Sequence, residues 1–132
     1  MKIKLLWKFI PVFIFYNDYK FDMGGKNRII YVKIKNKYKD DGGLLCHELT
    51  HSKQFYRLSL KSWLYHFSAK WRLKSELECY AKQIHYYYRH GNLDTEYFLY
   101  RFSHLICFNY RIYDKTVAEI KMLLIKEIEK YE

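Results

Sequence analysis

Before about residue 40 the chain shows an apolar run, a turn-like stretch and one segment with the two-residue periodicity of a β-strand. An apolar run at 9–16 leads to the stretch DMGGKN, which predicts a turn, and then RIIYVKIKNKY alternates apolar with basic or aromatic positions. That alternation predicts a half-exposed strand near the edge of a sheet, with Ile30, Val32 and Ile34 on its buried side. The N-terminal apolar run is too short to span a bilayer and lacks a small-residue cleavage site. We therefore expect it to be a strand or a surface-associated segment, not a signal peptide.

From about residue 44 onward the periodicity is helical. Asp40 or Asp41 is placed to cap a helix at about 44–58. A short or irregular segment at 59–66 precedes a long helix at 68–90, which ends at Gly91. Another helix begins near Asp94, and a last amphipathic one within 114–131 carries the apolar stripe Val117, Ile120, Leu124 and Ile128. These elements predict an α+β fold in which a small β-sheet precedes a helix-dominated region.

The composition is that of a folded protein of one domain. Half of the 132 residues are hydrophobic and 20% are aromatic, which excludes a disordered chain. The length suffices for a core without disulfides, so we predict one domain over residues 1–132. The three cysteines, Cys46, Cys79 and Cys107, are widely spaced and form no CxxC. This spacing indicates reduced thiols and neither a disulfide framework nor a thiolate zinc site.

The net charge of +10 suggests an anionic partner, but the basic residues do not gather into one patch that would indicate a particular kind of partner. Lysines make up most of the 24 basic residues and are scattered along the sequence. Such a surface attracts polyanions in a salt-dependent way whatever the function of the protein. A basic accessory protein that binds nucleic acid or a protein partner, with structural histidines, is therefore the alternative interpretation of this chain.

The strongest chemical signal is HELTH at residues 47–51, an HExxH motif. At 3.6 residues per turn, His47 and His51 share one face of the predicted helix and can bind one metal ion, with Gln54 on the same face. Glu48 lies beside them, where it can take a proton from a zinc-bound water. The helix also has a second apolar side, formed by Leu45, Leu49 and Tyr56. This pattern indicates a helix that is buried on more than one face.

A catalytic zinc ion needs a third protein ligand, and the next long helix offers two glutamates. The HExxHxxGxxH pattern, in which the third ligand is a histidine of the same segment, is not met. Glu76 flanks the apolar stripe of the long helix. Glu78 lies on the opposite side, between Lys74 and Lys82, as expected of a solvated face. A carboxylate at the edge of a core is costly unless it is paired or binds a metal, which favours Glu76.

The stretches HELTHSKQ and ELECYA together resemble the gluzincin metallopeptidases, particularly the minigluzincins and related small phage-type zinc peptidases. The resemblance covers about residues 28–90 and departs from the family at Cys79, where alanine is usual. It implies a zincin-like domain that binds zinc through His47, His51 and Glu76. Glu48 is then the base that activates a zinc-bound water to hydrolyse peptide bonds. It also implies that the strand NRIIYVKIK runs along the cleft and holds an extended substrate.

Further expectations concern supporting residues and surroundings. Gln54 and Tyr80 are candidates to support the ligands or to stabilise the transition state. The partner expected is a peptide or protein substrate, no transmembrane segment is predicted, and a cytoplasmic location is expected. The sequence leaves open secretion or association with a phage particle, the oligomeric state, and the choice between protein and cell-wall peptide. It also leaves open a zinc-binding zincin fold without efficient turnover.

Overall fold

A computed structural model describes residues 1–6, 10–21, 23–28 and 30–132 of the chain. Within these residues, a sheet of four strands precedes five α-helices, which confirms the α+β fold. The strands are β1 (Lys2–Leu6), β2 (Ile10–Asn17), β3 (Gly25–Arg28) and β4 (Tyr31–Lys35). Their order across the sheet is β1-β2-β4-β3, with β2 and β4 parallel and the outer pairs antiparallel. The strand β3 is therefore at one edge.

The N-terminal apolar run belongs to β2, which confirms the prediction of a strand for residues 10–16. Val12 and Ile14 are fully buried in it. Phe9, the first residue of the run, lies outside the described residues.

The segment after β2 is a hairpin, and the predictions for it were partly wrong. Residues 25–27 of the expected turn belong to β3, and the expected single strand is divided between the end of β3 and β4. Because the two strands pair with Arg28 opposite Tyr31, Ile30 lies in the tight connection and is 52% exposed. The strand β4 is internal and lies directly beside the edge strand β3. Its Lys33 and Lys35 lie over the rings of Tyr19 and Phe21.

The helices match the predicted segments closely. They are α1 (Gly42–Leu58), α2 (Leu64–Phe67), α3 (Ala69–Arg89), α4 (Thr95–Asn109) and α5 (Val117–Glu129). A 3-10 helix, Ser59–Trp63, joins α1 to α2 in the segment predicted to be short or irregular. Asp41 is the cap of α1, since its carboxylate accepts from the backbone N–H of Leu44 at 2.9 Å. Gly91 follows α3 with φ +89°, as its capping role requires.

The helix α1 packs against the sheet on one side and against α3 on the other, as expected of a helix buried on more than one face, and the described residues form two apolar clusters. One cluster joins α1 to the sheet through Leu49, Val12, Val32 and Ile34. The other cluster joins α3, α4 and α5, and contains three residues of the predicted α5 stripe: Ile120, Leu124 and Ile128. Val117, the fourth, is half-buried. This packing places the motif-bearing face of α1 against α3. None of the described helices combines the length and apolar character that crossing a bilayer requires.

Candidate metal centre and cleft

The structure brings His47, His51 and Glu76 together between α1 and α3. Nε2 of His47 lies 3.4 Å from Oε2 of Glu76, and Nε2 of His51 lies 3.3 Å from Oε1. The side chain of Glu76 is 1% exposed, that of His47 5%, and that of His51 18%. The same ring nitrogen of each histidine thus faces one buried carboxylate.

The donor set of these three residues fits a zinc ion. The Oε2 atom of Glu76 is buried and has no hydrogen-bond partner among the described residues. A buried carboxylate oxygen without a hydrogen-bond partner lowers the stability of the folded protein unless a bound cation compensates its charge. Two imidazole nitrogens and one carboxylate oxygen are a set that zinc accepts in sites with an open fourth position.

A chain of hydrogen bonds fixes the tautomer of His47. The hydroxyl of Tyr87 donates to the carboxylate of Asp41 at 2.8 Å, so it has to accept from Nε2 of Gln83, 2.9 Å away. The Oε1 atom of Gln83 therefore faces Nδ1 of His47, at 3.1 Å, and accepts a hydrogen bond from its N–H. The lone pair of His47 is then on Nε2, which faces Glu76.

A shorter chain orients His51 in the same way. Nε2 of Gln54 donates to Oε2 of Glu78 at 2.9 Å and to the backbone carbonyl of Ser75 at 3.1 Å. Its Oε1 therefore faces Nδ1 of His51, at 3.3 Å. Because the Glu78 carboxylate only accepts hydrogen bonds, it orients the Gln54 amide, and Gln54 in turn orients His51. Gln54 was one of the supporting residues expected from the sequence.

The surroundings of Glu78 correct one sequence prediction. Glu78 was expected on a solvated face between two lysines, but its side chain is only 14% exposed, because α1 covers it. It pairs with Arg57 of α1 at 2.9 Å and with Lys82 at 3.1 Å. Lys74 lies instead over the ring of Trp71. Glu78 supports the site through Gln54 and does not face the two Nε2 atoms.

Glu48 lies beside the histidines and against the edge strand. It is buried, and a Cβ atom on Gly25 would come within 2.9 Å of its Oε1. Burial raises the pKa of Glu48, against the opposite effect of the two histidines. Burial acts to raise the pKa of Glu76 as well, but His51 and His47, in their protonated forms, hold the pKa of that carboxyl well below its usual range. The two carboxyls therefore differ: Glu76 is held as an anion, and Glu48 is suited to exchange a proton.

Cys79 is a second candidate for the third ligand, and sequence reasoning assigned it no role in the site. It is fully buried, and the possible ligand atoms of His47, His51 and Cys79 lie within 4.8 Å of one another. Its Sγ lies 3.5 Å from Nδ1 of His51, however, which is the nitrogen that Gln54 occupies. Burial raises the pKa of the Cys79 thiol to about 12. Because both Nε2 atoms face Glu76, we favour Glu76.

Two tyrosines complete the surroundings of the ligands. The ring of Tyr80 packs edge-on against His47 with centroids 4.3 Å apart, and its hydroxyl lies 3.0 Å from that of Tyr110. The hydroxyl of Tyr65 in α2 donates to Oε1 of Glu76. Sequence reasoning missed Tyr65, because nothing in a chain with 15 tyrosines distinguishes one in a short helix.

The centre opens into a cleft of about 850 Å³ between the edge strand β3 and the segment that joins α1 to α3. Glu48, His47, His51 and Glu76 all line it. Most of its other lining is apolar or aromatic, and includes Met23, Phe55, Leu58, Trp63 and Trp71. An extended apolar cleft beside a buried polar centre is typical of a site that binds a flexible organic substrate.

Comparisons of the chain with protein-family models, with curated proteins and with solved structures find no match. The functional argument therefore depends on the geometry of the site, and membership of the gluzincins stays a prediction.

Proposed function

We propose that the chain is a zinc-dependent metallopeptidase that hydrolyses peptide bonds. The observation that carries the proposal is the convergence of both Nε2 atoms on the Glu76 carboxylate, with Glu48 beside them and a cleft in front. When bound, zinc polarises a carbonyl and lowers the pKa of water to near neutrality.

His47, His51 and Glu76 would hold the ion. The Gln83 and Gln54 amides keep the imidazole protons on Nδ1, so that the Nε2 lone pairs are available. The raised pKa of Glu48 suits it to take a proton from the attacking water and to give it to the leaving amine. The Tyr65 hydroxyl holds Glu76 in position.

The position of β3 supports a peptide as the substrate. It is the outermost strand next to the centre, and all four of its residues line the cleft. An edge strand is the place in a sheet where an extended chain binds by adding a further strand. The backbone of a substrate held in this way passes directly in front of Glu48.

The test is hydrolysis of casein by the zinc-loaded protein and by its Glu48→Gln variant. We expect the variant to retain zinc and to lose activity by about a hundredfold or more, because the proton acceptor is removed while the size of the side chain is kept. Glu96→Gln is the matched control, since Glu96 lies on α4 and is 77% exposed. Equal hydrolysis by Glu48→Gln and the wild type would contradict the proposal.

A further inference from the structure

The side chains of β3 divide between two faces. A Cβ on Gly25 would meet Glu48, and Asn27 donates to the backbone carbonyl of Glu48 at 2.9 Å, so both positions face α1. Lys26 and Arg28 therefore point to the opposite face of the sheet. Both are exposed, and neither takes part in an ion pair among the described residues.

The open part of the cleft is positively charged. Lys61, also exposed, lies on the wall opposite β3. Among the described residues, the carboxylates that line the cleft are Glu48 and Glu76, and both are buried at its floor. A chain bound along β3 thus lies near the positive charges of Lys26, Arg28 and Lys61. The buried carboxylates of Glu48 and Glu76 do not neutralise these charges at the surface of the cleft.

We propose that the segment bound along β3 is acidic at alternate positions and apolar between them. This inference deepens the proposed function and depends on it for the place of cleavage. In a pair of strands, residues directly opposite each other have Cβ atoms about 5 Å apart, so side chains two positions apart in the substrate lie opposite Lys26 and Arg28. The side chains between them point to the inner side, where Phe55, Leu58 and Trp71 line the cleft.

The test measures binding separately from hydrolysis. Three short fluorescein-labelled peptides share one apolar alternation and carry Glu, Gln or Lys at the alternate positions. They are titrated by fluorescence anisotropy against the zinc-loaded Glu48→Gln variant. We expect the Glu peptide to bind about fivefold tighter than the Gln peptide, and the Lys peptide to bind most weakly. Added salt should reduce the difference.

Matched charge reversals locate the effect. Arg28→Glu in the same background should abolish or reverse the preference for the Glu peptide. Lys126→Glu changes the net charge equally at an exposed site on α5 and should leave the preference intact. Equal binding of the three peptides, or an equal effect of both reversals, would overturn the inference.

Two further outcomes distinguish this inference from its alternatives. If single-stranded DNA of matched charge binds tighter than the Glu peptide and loses that binding in Arg28→Glu, the cations serve nucleic acid and the inference fails. The same peptides are also given to the zinc-loaded wild type. Binding that prefers Glu without any cleavage would overturn the peptidase proposal and leave an acidic-peptide site. Cleavage of all three peptides without a charge preference would overturn this inference and support the peptidase proposal.

Discussion

Each histidine of the candidate centre is oriented by a glutamine amide, and each amide is oriented by a carboxylate. For His47 the carboxylate is Asp41, which acts through Tyr87, and for His51 it is Glu78. Since a carboxylate only accepts, each chain has a defined direction and leaves the lone pair on Nε2. Such supporting hydrogen bonds commonly change metal affinity by about 10- to 100-fold.

Tyr87→Phe should therefore weaken zinc binding. Without the hydroxyl, Gln83 loses the acceptor that fixes its orientation, and His47 is free to place its proton on either nitrogen. We expect zinc affinity, measured by competition with a fluorescent chelator, to fall about tenfold. Tyr88→Phe is the control, because Tyr88 is on the same helix and 57% exposed. Equal affinities of the two variants would show that the chain to Asp41 does not support the ligand.

Gly25→Ala should reduce hydrolysis and leave zinc in place. The added methyl group would lie 2.9 Å from Oε1 and 3.0 Å from Cγ of Glu48, so the base has to move. The zinc ligands do not contact Gly25 in this way, and zinc content should be unchanged. We expect a loss of about tenfold or more in turnover, as displacement of a proton acceptor implies. If Gly25→Ala hydrolysed casein at the wild-type rate, Glu48 would not be the carboxylate that accepts the proton.

The residues of the centre that sequence reasoning found are those that local periodicity encodes. His47, His51 and Glu76 follow from helical spacing on two predicted helices. Asp41 and Tyr87 are 46 residues apart in the chain, and Tyr65 and Glu76 meet only because α2 folds back over α3. Contacts of this kind depend on how the elements pack, and no local pattern in the sequence carries them.

The two helices of the centre are joined at their outer side by an ionic cluster around Glu78. Burial acts to raise the pKa of Glu78, but Arg57, Gln54 and Lys82 hold it down at about 2. A carboxyl whose pKa is lowered by folding stabilises the folded state above its ordinary pKa of 4.5. That stabilisation is lost as the pH falls from about 4.5 to about 2.

Glu78→Gln should therefore lower the free energy of unfolding at neutral pH by about 2 kcal/mol, as expected for lost charged hydrogen bonds. The difference from wild type should diminish as the pH falls from about 4.5 toward 2, and urea denaturation at several pH values measures it. Glu96→Gln, which removes an exposed pair with Lys121, should cost less than about 1 kcal/mol. A difference that does not depend on pH would show that the charge of Glu78 is not what joins α1 to α3.

The hairpin shows where element prediction from the sequence failed. Glycine and lysine at 24–26 are typical of a turn, yet residues 25–28 form a strand. Asn27 donates to Oγ of Ser52 at 2.5 Å and to the backbone of Glu48, so contacts with α1 hold the segment extended. The cap of α1 was predictable, because Asp41 acts on a backbone group three residues away.

In the whole molecule, the centre lies where two packed units meet. The sheet and α1 form one apolar cluster, and α3, α4 and α5 form the other. His47 and His51 belong to the first unit and Glu76 to the second, so a bound ion would link them. Metal binding of this kind contributes directly to folding stability.

The first measurement is therefore zinc content by plasma mass spectrometry on protein purified without added metal, together with circular dichroism to verify folding. Wild type, Glu96→Ala and Cys79→Ala should each carry about one zinc ion per chain, and Glu76→Ala should carry none. Folded wild-type protein without zinc, or zinc that is lost with Cys79 and retained without Glu76, would contradict the proposed centre.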